Sequence, residues 1–375
     1  VKRDEAVKSY DAEEATLRAR LGTIDPFSPK QLMDYVYNEH GVKPVYRLRK
    51  KVDGKARTPS LDETAIDELL TRVIPQEVSD VLRLVLRIRE LHKITSVYLK
   101  APLDRDGRLR CSYIITGTET GRISSRETAF HTGTNLQNVP EGIAREVVVP
   151  DDGMVFVGAD LSQAEARIVA YLAGETRLTA LFDRGGDIHR GNAARIFRKP
   201  EAAVTPTERY IAKRIIHASN YGMGANKFAQ VAGVTKAEAK ALLHQYFNTY
   251  PRIKVWHLQV ADTIKRTRTL TTPLGRTRQF MGPWGDDLLR EAYAFVPQST
   301  VSDLLNDGLI QYHHEGPGEI VLQVHDSIVV QVPGPAADLA ATKLRQCLTR
   351  PVDINGHTCT IPVDIKRGCS WDALK

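Results

Sequence analysis

The chain has 375 residues, 42% of them hydrophobic and 26% charged, with a formal net charge of +7. That length exceeds one small core and implies two or three lobes, and the composition is that of a globular protein rather than a disordered or fibrous one. Cys111, Cys347, Cys359 and Cys369 are scattered without a C-x-x-C pair, which argues against a disulfide framework or a zinc ribbon and suits a reducing compartment. No apolar run approaches a membrane span, the N-terminus has no signal-peptide pattern, and the positive charge fits a polyanionic partner.

Residues 1–40 read as polar helix. Ser28-Pro29 starts a helical segment with apolar Leu32, Val36 and Tyr37, a Ser cap followed by a first-turn proline. The next stretch carries Lys43, Arg47, Arg49, Lys50, Lys51, Lys55 and Arg57 against Asp53 alone. It reads either as a solvated basic loop or as a flexible strip that neutralises phosphates. Ser60 to Leu70 predicts a helix with Ser60 and Glu63 as a capping box, and Asp62 and Glu63 suit its positive end. Val81 to Val97 predicts an amphipathic helix, with Leu82, Val85 and Leu91 on one side and Arg83, Arg87 and Lys93 on another. The two helices and the basic strip together suggest a mobile arm.

Arg108 to Ile115 predicts a strand, and the polar stretch 116–140, with Arg122 embedded, an ordered loop. Val155 to Ala159 is a β-branched and small apolar run, hence a buried strand, and it stops at Asp160. Ser162 with Glu165 has the form of a capping box that opens a helix. Residues 185–270 read as helical, and 271–300 as turns and a helix around Gly275 and Pro297. Ile320 to Val332 predicts a hairpin with His325-Asp326-Ser327 between its arms, and Cys359 to Ile365 a further strand.

Three features carry chemistry. A single Asp at a strand end has a plain structural reading, but Asp326 stands at the tip of a second apolar hairpin, where Gly or Asn facing water is usual. Two carboxylates shown from strand ends suit two Mg²⁺ ions, which take a few carboxylates plus substrate phosphates and clamp both oxygens of a phosphoryl displacement. The third feature is the helix Thr205 to Tyr221, with a cap, a first-turn proline and Glu208 at its start. Arg209, Lys213, His217 and Tyr221 recur every fourth residue, and at about 100° per residue each step drifts only about 40°. The result is one slanting stripe: two cations, an imidazole and a phenol. It reads either as a solvated face or as a row suited to a triphosphate and a base.

Together these segments resemble the family A DNA polymerases, the bacterial DNA polymerase I type. Asp160-Leu161-Ser162-Gln163-Ala164-Glu165-Ala166-Arg167 is similar to their first motif, Arg209-x-x-x-Lys213-x-x-x-His217-x-x-x-Tyr221-Gly222 to their fingers helix, and Gln323-Val324-His325-Asp326 to their third motif. Thr120-Gly121-Arg122-Ile123-Ser124-Ser125, Asn135-Leu136-Gln137-Asn138-Val139-Pro140 and Asp187-Ile188-His189-Arg190 also match, all in the family's order. The resemblance implies an α+β right hand with an antiparallel-sheet palm: residues 1–110 as thumb, 111–175 and 271–375 as palm, 176–270 as fingers, without a proofreading exonuclease domain. It implies template-directed DNA synthesis from deoxynucleoside triphosphates on a primer–template by a cytoplasmic enzyme. That enzyme would act as a monomer, with replication accessory proteins as further partners and no membrane. Two Mg²⁺ ions, replaceable by Mn²⁺, would be held by Asp160, Asp326 and the Leu161 carbonyl. Lys213 would protonate the leaving pyrophosphate, and Gln163, Glu165, His189, Arg209, His217 and Tyr221 would bind the nucleotide, Glu165 by excluding a 2′-hydroxyl. Arg122, Arg290, Gln298 and His325 would touch the primer–template, as would Lys50, Lys51 and Lys55.

The sequence departs from that pattern at His217, where the family carries Phe or Tyr, at Ser327, where an acid usually follows, and at Ala294, where Asn is common. The first implies weaker stacking on the nucleotide, and the other two altered fidelity rather than loss of chemistry. Rival readings are a polymerase-like binder without chemistry, a single-subunit RNA polymerase and a generic basic nucleic-acid-binding protein. The retained Asp160, Asp326 and Lys213 argue against the first, Glu165 and the Gln298 region against the second, and the buried Asp pair against the third.

Overall fold

The computed structural model describes residues 2–51 and 54–374, and side chains outside 48–56. The chain divides into two compact units. One takes the chain up to Arg110 with Glu127–Thr134 and Val139–Val147, and the other takes Cys111–Arg126, Asn135–Asn138 and the chain from Val148 onward. Among the described residues, no helix is long and apolar enough to cross a membrane.

The first unit holds α1 (Lys2–Leu21), α2 (Pro29–Met33), the hairpin β1 (Tyr46–Lys51) and β2 (Gly54–Pro59), α3 (Glu63–Leu70), α4 (Gln76–Lys93) and α5 (Ile143–Glu146). Its core gathers Leu32, Val36, Ile66, Leu69, Leu82, Val85 and Ile88. The Ser28 cap and the amphipathic α4 form as the sequence predicts. Two expectations are corrected. The cap of α3 is Asp62, whose carboxylate accepts from the Ala65 N–H at 2.8 Å, while Ser60 donates to Asp62 at 2.9 Å. A charged oxygen is the stronger acceptor at a helix N-terminus, so it displaces the hydroxyl. The basic stretch is also no loop, because β1 and β2 pair antiparallel with Arg47 opposite Thr58, which satisfies backbone groups that a loop would leave to water. The side chains of Lys50, Lys51 and Lys55 lie outside the described residues, as does Asp53.

The second unit has helices α6 (Ala164–Ala173), α7 (Thr176–Asp183), α8 (Ile188–Phe197), α9 (Pro206–Asn220), α10 (Ala225–Ala232), α11 (Lys236–Thr249), α12 (Pro251–Thr267), α13 (Asp286–Glu315) and α14 (Ala337–Leu348). Its strands are β3 (Ser112–Ile114), β4 (Ser124–Arg126), β5 (Met154–Leu161), β6 (Thr269–Thr271), β7 (Thr277–Gln279), β8 (Glu319–Val324), β9 (Ser327–Pro333), β10 (Pro351–Ile354), β11 (His357–Thr360) and β12 (Val363–Gly368). The strand expected over Arg108–Ile115 shrinks to three residues. The one expected over Cys359–Ile365 breaks in two before Val363, where Pro362 has no N–H for a ladder. The first piece pairs with β10 and the second with β5.

Four antiparallel strands form the sheet that positions the site, in the order β12-β5-β9-β8. β5 is central and buried from Phe156 to Ala159, which is why it reads as a continuous apolar run rather than an alternating one. Val157, Ala159, Ile328 and Val330 pack with Ile168 of α6, Leu304 of α13 and Leu344 of α14. A second cluster joins Val169 of α6, Phe182, Ile215, Phe228, Tyr246, Trp256 and Phe295 of α13. Helices α6 and α13 therefore carry apolar residues of both clusters and tie the sheet to the helical part. Leu344 is fully buried against β5, so Leu344→Ala is expected to cost about 2–5 kcal/mol, read as a lowered urea midpoint.

Candidate active site

The sheet register brings the two carboxylates together. Asp160 on β5 lies opposite Ser327, the first residue of β9, and the Leu161 N–H donates to the carbonyl oxygen of Asp326 at 3.1 Å. Asp326 ends the two-residue turn between β8 and β9, in which His325 holds a φ of 54°, the left-handed region such turns require. Gln323 braces that turn. Its side chain donates to the His325 carbonyl at 2.8 Å and accepts from Gln137 at 2.7 Å, and its N–H donates to the Tyr113 hydroxyl at 2.9 Å.

Asp160 is exposed as a residue, yet desolvation of its carboxyl is the largest influence on its titration. Burial, then the charges of Asp326 and Asp364, push its pKa up to about 7, against a partial offset from Lys366. Burial also raises Asp326, opposed by its own N–H and by Arg122 and His325. Asp364 lies directly across from Asp160 on β12. The sequence reading missed it, because nothing in Pro362-Val363-Asp364 discloses which strand it pairs with. Two oxygen donors that resist ionisation side by side form a set that a hard divalent cation relieves. Among the described residues no group of three or more His, Cys, Asp or Glu could hold a metal by itself. The donor set thus fits Mg²⁺, which keeps water and phosphate oxygens in its shell, rather than a closed zinc site.

Glu165 is not the capping acid that the sequence suggests. Helix α6 is entered through Gln163 in a left-handed conformation, with φ 53° and no side-chain cap, because the Ser162 N–H is already bound to the Pro362 carbonyl at 2.9 Å. Glu165 is thereby free to pair with Arg122. Burial raises its pKa, the Arg122 guanidinium and a hydrogen bond from Gln298 oppose this, and Asp326 adds to it. The Arg122 charge acts on Asp326 and His217 as well. Arg122 therefore links the site residues Glu165, Asp326 and His217, with Gln298 beside Glu165.

The second group lies on α8 and α9. The predicted capping box of Thr205 and Glu208 is present. Arg209 donates to Asp187, the N-cap of α8, at 2.6 Å. Burial pushes the Asp187 carboxyl up, but the Arg209 guanidinium and the Arg190 N–H hold it below the usual range. His189 is pushed down to about 4 by burial and by the cations Lys213 and Arg209, so its imidazole is neutral near pH 7. Lys213 is exposed and has no ion-pair partner among the described residues. His217 meets Tyr221 edge to face, with ring centroids 4.9 Å apart. Gln163 Oε1, His189 Nδ1 and the Tyr221 hydroxyl are buried without a hydrogen-bond partner among the described residues. Arg290 joins neither group through a side-chain pairing and instead pairs with Asp287 at 2.6 Å.

The mixed helix–strand unit thus carries the carboxylate pair at one end of its sheet and the cationic row on α9. The model of DNA polymerase family A matches residues 2–373, and the chain belongs to that family. It is 30% identical over 370 residues to DNA polymerase I, thermostable, of Thermus filiformis, covering 93% of this chain and 41% of that protein. It is 28% identical over 388 residues to DNA polymerase I of Chloroflexus aurantiacus, covering 98% and 40%. The chain thus spans about two fifths of the length of these relatives. Its fold matches the POL domain of Pol1 from M. smegmatis, solved in complex with DNA primer–template and dNTP. That match has a TM-score of 0.84 at 24% identity and covers 100% of this chain and 66% of that one.

The raised Asp160 pKa gives a signed test. Because the folded value exceeds the ordinary 3.8, the ionised form is penalised in the folded, metal-free protein. The penalty is complete above about pH 7 and vanishes below the ordinary carboxylate value. Metal-free Asp160→Asn is expected to melt above wild type at pH 8, with the gap closing toward pH 4. Mg²⁺ is expected to raise the wild-type melting temperature and leave the variant's unmoved. A gap independent of pH would contradict the assignment.

Proposed function

We propose that this chain extends a primer 3′ end on a DNA template with deoxynucleoside triphosphates and releases pyrophosphate. One observation carries the reading: the strand pairing that sets Asp326 against Asp160, in the same unit as a helix that presents Arg209 and Lys213 in one row. The relatives' names and the family support it. In this reading the first unit up to Arg110 is the thumb, the sheet is the palm, and 176–270 are the fingers. The same reading takes the chain to be cytoplasmic.

Asp160, Asp326 and the Leu161 carbonyl would hold two Mg²⁺ ions, with Mn²⁺ as a substitute. Bound there, the ions supply charge neutralisation at the attacking and leaving oxygens of an in-line displacement. The chain's own residues then have distinct tasks. Arg209 exchanges the Asp187 carboxylate for a phosphate oxygen, keeping a charge-assisted pair throughout. Lys213, exposed and unpaired, meets the leaving pyrophosphate and donates a proton to it. His189 is neutral, and its unpartnered Nδ1, in the tautomer that carries the proton there, donates a hydrogen bond to a phosphate oxygen without adding charge. Gln163 and Tyr221 bring their orphaned oxygens to the nucleotide and the templating position, with His217 beside Tyr221. Glu165, held by Arg122 and Gln298, is a fixed wall against a 2′-hydroxyl. Arg122, Arg290, Gln298 and His325 contact the primer–template. Catalysis in this arrangement is positioning and electrostatic stabilisation, as phosphoryl transfer requires.

Primer extension with dNTPs and with rNTPs, with and without Mg²⁺, tests the reading. Asp326→Asn is expected to lower extension by roughly 10²–10³-fold or more while leaving primer–template affinity within about twofold. Comparable extension by the variant would remove Asp326 from the chemistry. Glu165→Ala is expected to raise ribonucleotide incorporation by about tenfold or more, the order of a shape-based discrimination. Unchanged sugar selection would leave Glu165 only its pairing with Arg122.

A further inference from the structure

The connection between β3 and β4 carries Arg122 and is held at both neighbours of that residue. On one side Gly121 has a φ of 75°, in the left-handed region that a side chain strains. Its carbonyl accepts from the Ser302 hydroxyl of α13 at 2.8 Å, a buried contact. Asn306, one turn further along α13, donates to that hydroxyl at 3.4 Å and reaches the same carbonyl at 3.5 Å. The space where a Cβ of Gly121 would stand is taken by the Arg276 guanidinium, whose Cζ would lie 2.5 Å and Nε 2.9 Å from it. On the other side of Arg122, the Ile123 carbonyl accepts from the Gln137 amide at 2.9 Å. Gln137 also donates to Gln323, which braces the Asp326 turn.

Arg276 is fixed at both ends. It lies in the turn between β6 and β7, where its N–H donates to the Thr272 hydroxyl at 3.1 Å and its carbonyl accepts from the Thr272 N–H at 2.8 Å. Its guanidinium donates to Asp303 of α13 through Nε at 3.0 Å and Nη2 at 2.6 Å, a two-point contact that a planar fork makes and an ammonium does not. Asp303 follows Ser302 in α13. Two adjacent residues of one helix therefore hold Gly121, one by a hydroxyl on its carbonyl and one through the guanidinium packed against it. The Arg276 side chain is 40% exposed, and an ion pair so open to water contributes little to stability. What the pair does achieve is placement. Arg122 is the next residue, and it pairs with Glu165. Small displacements of a positioned group carry large costs in a reaction that depends on geometry.

We propose that Arg276 and Asp303 are positioning residues that clamp Gly121, set Arg122 against Glu165, and through that pair tune the choice of sugar. The last step rests on the reading of Glu165 as the wall against a 2′-hydroxyl, whereas the clamp stands on its own geometry.

The test uses R276Q, D303N and R276K, with Glu165→Ala as the reference; R276K keeps charge and length at an exposed position and removes only the fork. The first readout is the arginine Nε–H signals in ¹⁵N–¹H spectra of the chain without DNA or metal, with Arg122 assigned through the signal lost in R122K. In all three clamp variants the Arg122 signal is expected to move toward its position in Glu165→Ala, where its partner is gone. The second readout is the ratio of kcat/KM for a deoxynucleotide over the matching ribonucleotide in primer extension. Each clamp variant is expected to lower that ratio by about three- to tenfold, the coupling expected within one network, and to lower it no further once Glu165 is Ala. A pair that merely stabilised the fold would reduce use of both nucleotides alike and leave the ratio where it is. An Arg122 signal unmoved in all three variants would overturn the proposal. So would a moved signal with an unchanged ratio while Glu165→Ala does lower it. A moved signal with a ratio that Glu165→Ala also leaves unchanged supports the clamp and counts against the reading of Glu165 alone.

Discussion

The pairing of β5 with β9 is the interaction on which the rest of the structure depends. It sets Asp160 opposite Ser327 and ties the Leu161 N–H to the Asp326 carbonyl, so two carboxylates that repel each other share one end of one sheet. The repulsion is overcome behind the site, where Val157, Ala159, Ile328 and Val330 are buried against α6, α13 and α14. Each fully buried aliphatic side chain of this size contributes about 1.5–3 kcal/mol. Several of them outweigh the strain of one like-charge pair at a solvent-reaching edge. The register also cannot slip by one residue without turning this apolar set to the wrong face, so the separation of the carboxylates is as secure as the core itself.

Around that pair, the charged residues are already engaged before any ligand arrives. Arg122 is held by Glu165, and Arg209 by Asp187. An arginine kept in a charge-assisted pair is oriented and loses little conformational entropy when it changes partner. Lys213 differs, being exposed and unpaired, which leaves its ammonium available for proton donation. His189 differs again, because burial and two neighbouring cations keep it neutral. Three residue types in one region are thus held in three states: a paired cation, a free cation and a neutral imidazole.

Much of this was legible in the sequence. The apolar run ending at Asp160, the hairpin bearing Asp326 and the capped helix carrying Arg209 and Lys213 all formed where their local signals placed them, because period and capping chemistry act within a few residues. What escaped was non-local. Asp364 faces Asp160 through a register that Pro362 sets but does not announce. Glu165 has the spacing of a capping acid, and its pairing with Arg122 follows only from three-dimensional proximity. Ser60 gave way to Asp62 as a cap, a competition between two good acceptors two residues apart that spacing alone does not decide. The basic stretch read as a loop because charge masks strand propensity, whereas antiparallel pairing needs only backbone partners.

The central claim is that Asp160 and Asp326 together hold the divalent cations of the reaction. The most direct measurement is anomalous diffraction from crystals of the chain with Mn²⁺, a primer–template and a non-hydrolysable deoxynucleoside triphosphate. The account predicts manganese peaks between the two carboxylates, with oxygen ligands from both at about 2.1 Å and the Asp187–Arg209 contact opened. Manganese bound elsewhere, or coordinated by only one of the two aspartates with the other turned away, would contradict it.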